Sequence, residues 1–291
     1  MNKQIISKPT AVTHKPMPVT NKPSIIIRTR NLIKTFNPEP RAIPMKVFAP
    51  KSPEVVAQAK RKMSPDLYRL IEKRNQDIIK YILEMKYMRL EHIQTKFFAF
   101  ASDKSETFTT SAIGKLKDLK YIHENSKGLL MVTGEGEKYL SKFTEGKLLP
   151  SVVKRVFEPE VNHDLKLIEL RIRIEELGMV DRWYSENALK SLPFMMKEFK
   201  DMPDALLIKK DGRGVFLELE ISRKTNQRYL DRIEEYKRVL QTSDIKDQKI
   251  EGVMFLCTDE KVKEILTTAT IDFKQIISFR MLSQYLNESS K

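Results

Sequence analysis

Three acidic residues on two adjacent predicted strands have the types and spacing of a divalent cation site. Asp204 follows a proline in "MPDALLI", and Glu218 and Glu220 lie in "GVFLELEIS". Alternate residues of a strand share a face, so the two glutamates point the same way. Carboxylate oxygens suit Mg²⁺ or Mn²⁺, which can polarise a phosphate and activate water for phosphodiester cleavage. We therefore predict a Mg²⁺ or Mn²⁺ site here; the alternative is a solvated strand face whose glutamates are balanced by lysines.

The turn between these strands decides whether the carboxylates meet. A two-residue turn at Asp211-Gly212 would set Asp204 opposite Leu219, beside an apolar side chain. An odd-length loop pairs Lys210 with Gly214 and sets Asp204 opposite Glu220, with Glu218 diagonal to it. Because "KKDGRG" contains two glycines, which bulged turns use, we predict the odd-length loop.

The elements around these strands predict an α/β fold with a mixed central sheet flanked by helices. "HDLKLIELRIRIEEL" is apolar on most of its circumference and predicts a buried helix. Strands are predicted at "RWYSENAL", "PDALLI", "GVFLELEIS", "EGVMFLCT" and "QIISFRML", with helices at "NQRYLDRIEEYKRVL" and at 259–268. The continuous apolar run in "EGVMFLCT" is typical of a central strand.

A smaller α+β domain is predicted before it, over residues 75–148. Three helical patterns, at "NQDIIKYILEM", "LEHIQTKFF" and "TTSAIGKLKDLKYI", precede two short strands around Asn125–Gly128. This is the order of a winged helix-turn-helix, in which the third helix enters the major groove and the hairpin contacts the DNA backbone. The alternative is a small helical domain for protein contacts.

The predicted DNA contacts are polar residues on the third helix and the hairpin. The predicted inner face of the third helix consists of Ile113, Leu116 and Leu119. Hydroxyl and ammonium groups suit phosphates and base edges. The predicted DNA-binding residues in this domain are Thr110, Ser111, Lys115, Lys117 and Lys127.

The excess positive charge lies at the N-terminus. Residues 1–62 contain 13 of the 53 Lys and Arg residues but only 2 of the 39 Asp and Glu residues, so they supply most of the net charge of +14. They also contain nine of the 14 prolines. Residues 1–51 therefore predict an extended basic arm that neutralises phosphates, with Arg28 and Arg30 as candidate DNA contacts. A tail that aids solubility is the alternative. Connecting helices are predicted over 52–74, where Ser-Pro-acid sequences begin at Ser52 and Ser64.

Residues 163–257 resemble the PD-(D/E)xK nuclease superfamily, whose core carries Pro-Asp on its second strand and (Asp/Glu)-x-Lys on its third. Asp204 and Glu218 match these positions. With the preceding winged helix, the chain resembles the plasmid replication-relaxation family. The resemblance implies a nuclease-like domain over 160–287 and a role in plasmid or mobile-element replication or mobilisation.

The sequence departs from that motif at its lysine, where Glu220 stands. The lysine would stabilise charge on the attacking water or phosphate. Lys224, on the same strand face, and Lys237, on the next helix, are candidate replacements. Further metal ligands are predicted at Glu169 on the first helix and Glu186 on the first strand. His163 could border this site, but capping the helix is the favoured role.

These patterns predict a cytoplasmic protein that binds duplex DNA and that is either a Mg²⁺- or Mn²⁺-dependent endonuclease or a non-catalytic regulator or assembly factor. One cysteine, Cys257, excludes a disulfide framework, and no apolar run is long enough to span a membrane. RNA binding is less favoured, because aromatic-rich single-strand motifs are missing. A homodimer and a protein partner for the arm stay open.

Overall fold

The computed structural model describes residues 64–144, 148–270 and 277–286. The predicted basic arm, with Arg28 and Arg30, and the helix start at Ser52 lie outside these residues. No helix in the described part of the chain is both long and apolar enough to cross a membrane.

The first described half consists of helices and a short antiparallel hairpin. A 3₁₀ segment, Ala99–Lys104, joins its second and third helices. The elements are α1 (Pro65–Glu84), α2 (Leu90–Phe98), α3 (Ser105–Asp118), β1 (Ile122–Glu124), β2 (Leu130–Val132) and α4 (Gly134–Ser141).

Helix α1 begins where the sequence signal predicts and continues into the first apolar pattern. The Oγ atom of Ser64 accepts a hydrogen bond from the backbone N–H of Leu67 at 3.2 Å, and Pro65 occupies the first turn. Ile78 and Ile82 are fully buried at its other end. The predicted domain boundary at residue 75 therefore falls inside one continuous helix.

The end of α3 differs from the prediction in one respect. Ile113 and Leu116 are buried as expected, but Leu119, predicted to face inwards, is 55% exposed. The helix ends at Asp118, so Leu119 lies beyond its last turn, and Lys120 then takes a left-handed backbone conformation (φ 59°).

The second half has the mixed α/β architecture that the sequence predicts. Strands β3, β4 and β5 are antiparallel neighbours, whereas β5, β6 and β7 are parallel, in the order β3-β4-β5-β6-β7. The elements are α5 (Val161–Glu176), β3 (Arg182–Ser185), α6 (Glu186–Leu189), α7 (Pro193–Glu198), β4 (Ala205–Ile208), β5 (Gly214–Glu220), α8 (Asn226–Val239), α9 (Ser243–Asp247), β6 (Ile250–Cys257), α10 (Glu260–Ala269) and β7 (Ile277–Met281).

Alternation along β5 divides its side chains between two apolar clusters. Leu217 and Leu219 pack in the cluster that contains α5, whereas Phe216 packs in the cluster that contains Ile233 and Tyr236 of α8. Glu218 and Glu220 alternate with the leucines and are also buried, at 7% and 3% exposure. The alternative of a solvated strand face is therefore wrong.

The β4–β5 loop has the predicted odd length, but the predicted register is wrong. Each residue of β4 pairs with a residue of β5 that lies two positions earlier than predicted. Lys209 N–H donates to the Arg213 carbonyl at 2.8 Å, which leaves three loop residues, 210–212. Gly212 has a φ of 81° and occupies the left-handed position of such a loop. Ala205 pairs with Leu217, so the next pair sets Asp204 opposite Glu218 and not opposite Glu220.

The first strand is shorter than predicted. Strand β3 ends at Ser185, whose Oγ atom accepts a hydrogen bond from Ala188 N–H, and Glu186 begins the short helix α6. Glu186 therefore lies on a helix and not on the first strand as predicted, because a capping serine precedes it.

Candidate functional site

Asp204 lies immediately before β4 and is held by two neighbouring elements. Its Oδ2 atom accepts a hydrogen bond from the backbone N–H of Leu219 at 2.7 Å and lies 3.1 Å from Nε2 of His163. His163 stands in the first turn of α5. Burial opposes ionisation, but the His163 charge and these hydrogen bonds lower the pKa of Asp204 below its usual value.

Glu218 points from β5 towards α8. Its Oε1 atom accepts hydrogen bonds from Nε of Arg232, at 3.1 Å, and from the hydroxyl of Tyr236. Helix α8 covers this face because it connects two parallel strands, β5 and β6. Burial, together with the smaller effect of the Asp204 charge, raises the pKa of Glu218 to about 7 against the opposing charge of Arg232.

Glu220 ends β5 and is paired with the loop that follows. The Nζ atom of Lys224 lies 2.8 Å from its Oε1 atom. Lys224 lies beyond the strand, so it reaches Glu220 from the loop rather than along the strand face. Burial raises the pKa of Glu220. Burial lowers the pKa of Lys224, but the attraction of Glu220, with that of Glu218 and Asp204, outweighs it and the pKa of Lys224 is raised.

The three predicted carboxylates therefore form one electrostatic group, which we call the carboxylate cluster (Asp204, Glu218 and Glu220). The charge of Asp204 contributes to the raised pKa of both glutamates. Lys224 contacts this cluster through Glu220, and its predicted catalytic role stays a prediction. Each carboxylate has its own cationic partner, and the described contacts engage one oxygen of each.

The other candidates bind elsewhere. Lys237 contacts Glu234, although it was predicted to serve the carboxylates. Glu169 lies between Lys166 and His92, and its pKa is lowered chiefly by the His92 hydrogen bond.

Glu186 instead contacts Lys86 and Lys190, the latter one helical turn further along α6. The structure therefore describes Lys237, Glu169 and Glu186 in ion pairs with residues outside the carboxylate cluster.

Sequence reasoning missed one cation of the site, Arg232, and gave His163 a place beside the site only as the less favoured alternative. Arg232 carries a signal that could have found it, because it stands three residues after Tyr229 and four before Tyr236, on the buried stripe of α8. The preferred capping role of His163 is wrong: α5 begins after Glu160 without a side-chain cap, and the imidazole lies at Asp204.

His163 is charged because both ring nitrogens face acceptors. Nε2 lies 3.1 Å from Asp204 Oδ2 and 3.0 Å from the Leu219 carbonyl, and Nδ1 lies 3.4 Å from Oδ1 of Asp164. Each nitrogen must therefore carry a proton. Burial alone would lower the pKa of His163, but Asp204 and Asp164 outweigh it and raise the pKa to about 11.

Asp164 links this histidine to the first half of the chain. Its Oδ2 atom accepts a hydrogen bond from the Tyr87 hydroxyl at 2.7 Å and lies 3.4 Å from Nζ of Lys86. Lys86 has a left-handed backbone conformation (φ 70°) directly after α1. The end of α1 is thus joined through Asp164 and His163 to the carboxylate cluster.

The carboxylate cluster, as arranged, does not fit a divalent cation. A Mg²⁺ or Mn²⁺ ion there would lie beside the charges of His163, Lys224 and Arg232, and would compete with Arg232 for Glu218. Within the described ranges, no group of three or more His, Cys, Asp and Glu side chains is placed to hold a metal ion. The metal prediction thus stays a prediction, and the observed neutralisation comes from side chains.

The predicted DNA contacts divide into exposed and paired residues. Thr110, Ser111 and Lys115 are exposed on the outer side of α3. Lys117 forms an ion pair with Glu124 of β1, and Lys127 of the hairpin loop pairs with Glu158.

The hairpin is fixed against the end of α3. The Thr133 hydroxyl donates to the Lys120 carbonyl, and Tyr121 and Tyr139 stack with ring centroids 4.4 Å apart. Lys120 and Lys115 are exposed cations without a described carboxylate partner.

Comparison with known proteins gives no assignment, since no protein-family model and no curated protein matches this chain.

Proposed function

We propose that this protein binds duplex DNA through α3 and the β1–β2 hairpin, which act as a winged helix. The observation that carries this proposal is the exposed side of α3, where Thr110, Ser111 and Lys115 stand together. A helix that presents hydroxyls and an ammonium group suits phosphates and base edges of the major groove.

The fixed hairpin supports the same proposal. The ion pair of Lys117 with Glu124 joins α3 to β1, and Thr133 joins the end of α3 to the start of α4. The hairpin loop is therefore held at a constant offset from α3. A wing that contacts the backbone beside a recognition helix needs this constancy.

For the second half we propose a nuclease-like domain that holds nucleic acid or a partner without cleaving it. Each carboxylate of the cluster already has an internal cation, and Glu220 stands where the motif has lysine. Such a protein would act as a regulator or assembly factor in plasmid or mobile-element replication or mobilisation, in the cytoplasm. Metal-dependent cleavage is the second candidate; it is favoured by three buried carboxylates in electrostatic contact, and it requires Arg232 to leave Glu218 so that a metal ion can bind.

The DNA-binding proposal is tested by measuring the affinity of the full-length protein for duplex DNA over a series of salt concentrations. Lys115→Ala should lower the affinity and reduce the slope of log K against log salt by about 1, as expected for one lost phosphate contact. Lys197→Ala removes an equally exposed lysine of α7 and should change neither quantity. Equal behaviour of the two variants would contradict a DNA-binding role for α3.

The two roles of the nuclease-like domain are separated by incubating supercoiled and single-stranded DNA with Mg²⁺ or Mn²⁺. We expect no nicking by the wild-type protein, with DNA binding unchanged by the metal. Nicking that disappears in the Asp204→Ala, Glu218→Ala double variant would overturn the non-catalytic proposal in favour of the second candidate.

A further inference from the structure

Residues 148–157, which we call the connector, form an extended segment that is pinned to the body at several points. The Nδ2 atom of Asn187 donates to the Ser151 carbonyl at 3.1 Å. Val152, Val153 and Val156 pack against the main apolar cluster. The connector is therefore a fixed surface feature, although it has no helix or strand.

The residues left outside are two cations and an aromatic ring. Lys154 and Arg155 are exposed, and no carboxylate partner is described for either in the ranges that the structure covers. Phe157 is 61% exposed, which leaves most of its ring accessible to solvent. While three valines take the inward positions, Lys154, Arg155 and Phe157 are the side chains that this part of the connector leaves exposed.

The connector ends beside the hairpin loop. Glu158, the next residue after Phe157, forms an ion pair with Lys127 of that loop. The connector therefore adjoins the hairpin to which we assign the contact with bound duplex DNA.

We propose that Lys154, Arg155 and Phe157 bind single-stranded DNA that extends from the bound duplex. Cations that follow the backbone, combined with an exposed aromatic ring on which a base stacks, are the elements by which proteins hold single strands. This proposal rests on the proposed duplex binding, because the hairpin is what brings the strand to the connector.

The test compares the full-length protein on a blunt duplex and on the same duplex with a single-stranded overhang of about 10 nucleotides, at either end polarity. The wild-type protein should bind the overhang DNA roughly five-fold tighter or more, as expected for one stacked base. Phe157→Ala should abolish most of this gain without changing affinity for the blunt duplex, and Phe157→Trp should keep it. Tyr68→Ala, an exposed aromatic at the start of α1, is the matched control and should keep the gain.

Two further measurements distinguish the stacking of a base on Phe157 from electrostatic attraction between the protein and the DNA backbone. A 2-aminopurine base at the first overhang position should lose fluorescence on binding to the wild-type protein and not to Phe157→Ala. The Lys154→Ser, Arg155→Ser variant should lower the salt slope for the overhang by about 1.4, because single-strand contacts contribute roughly 0.7 each. Lys197→Ser, Lys200→Ser removes two exposed lysines elsewhere and should leave the slope unchanged.

The proposal is overturned if the wild-type protein gains nothing from a DNA overhang, if Phe157→Ala keeps the whole gain, or if only an RNA overhang is bound more tightly. These outcomes are independent of the blunt-duplex affinity and of the Lys115→Ala variant, which test the duplex-binding proposal alone.

Discussion

Replacing His163 gives the sharpest test of the internally neutralised cluster. His163→Asn removes the imidazolium between Asp164 and Asp204 and leaves the Asp204 carboxylate, 18% exposed, without its cation. A rise of the His163 pKa from 6.5 to about 11 sets an upper bound of about 6 kcal/mol for its stabilisation, at 1.36 kcal/mol per pH unit. Loss of one partner of a buried ion pair costs roughly 3–5 kcal/mol, and the imidazole is 23% exposed, so we expect the lower end, about 3 kcal/mol.

The pH dependence of this effect has a definite sign. The folded-state pKa of His163 is raised, so its stabilisation is fully present below about pH 6.5, the unfolded value, and is lost as pH rises towards about 11. The difference in unfolding free energy between wild type and His163→Asn should therefore be largest at pH 6 and smaller by roughly 3 kcal/mol at pH 9.

Urea unfolding of both proteins at pH 6, 7.5 and 9 measures this difference. His123→Asn, on the exposed side of β1, is the matched control and should alter stability by less than about 0.5 kcal/mol at each pH. Ring ¹⁵N resonances of His163 should show both nitrogens protonated at pH 7.5. A His163→Asn effect that is constant from pH 6 to pH 9, or a ring that titrates near pH 6.5, would refute the reasoning.

Two further predictions concern packing and charge. Arg232→Met leaves Glu218 buried without a cationic partner and should lower the free energy of unfolding by roughly 3 kcal/mol, measured in urea. Arg228 is exposed one helical turn earlier, and Arg228→Met should change the free energy of unfolding by less than about 0.5 kcal/mol. Equal effects of the two variants would contradict the pairing of Arg232 with Glu218. Gly136→Ala would place a Cβ atom 2.2 Å from the carbonyl oxygen of Tyr121 and should lower the free energy of unfolding by about 1–3 kcal/mol. The Cβ atom of Gly134→Ala would meet no atom within 4 Å, so this control should change the free energy of unfolding by less than about 1 kcal/mol. Thermal unfolding measures both.

The sequence predicts the elements of the sheet well because periodicity reports burial directly. The alternation in β5 and the continuous apolar run of β6 correspond to strands at those positions. The odd length of the β4–β5 loop also follows from local chemistry. Its register did not, because either of two glycines could take the left-handed position, and only Gly212 does.

The partners of the carboxylates could not be predicted in the same way. His163 precedes Asp204 by 41 residues and meets it because α5 packs across β5, a tertiary contact that no local pattern encodes. Lys237 and Arg232 stand on one helix. Which of the two faces the carboxylates depends on how α8 is rotated about its axis where it packs on β5. Here Tyr236 and Arg232 take the inner position, and Lys237 pairs with Glu234.

The negative charge of Glu220 is one reason that the carboxylate cluster needs cations from several elements. A lysine at this position would itself balance one of the acids, whereas glutamate adds a third negative charge to a buried site. Buried like charges persist only when opposite charges meet them, and the chain supplies these from α5, from the loop after β5 and from α8. With Glu220 at this position, α5 and α8 also supply charges that support the sheet. Asp164 carries the same network to Lys86 and Tyr87 after α1, so one set of linked charges joins the proposed DNA-binding half to the cluster.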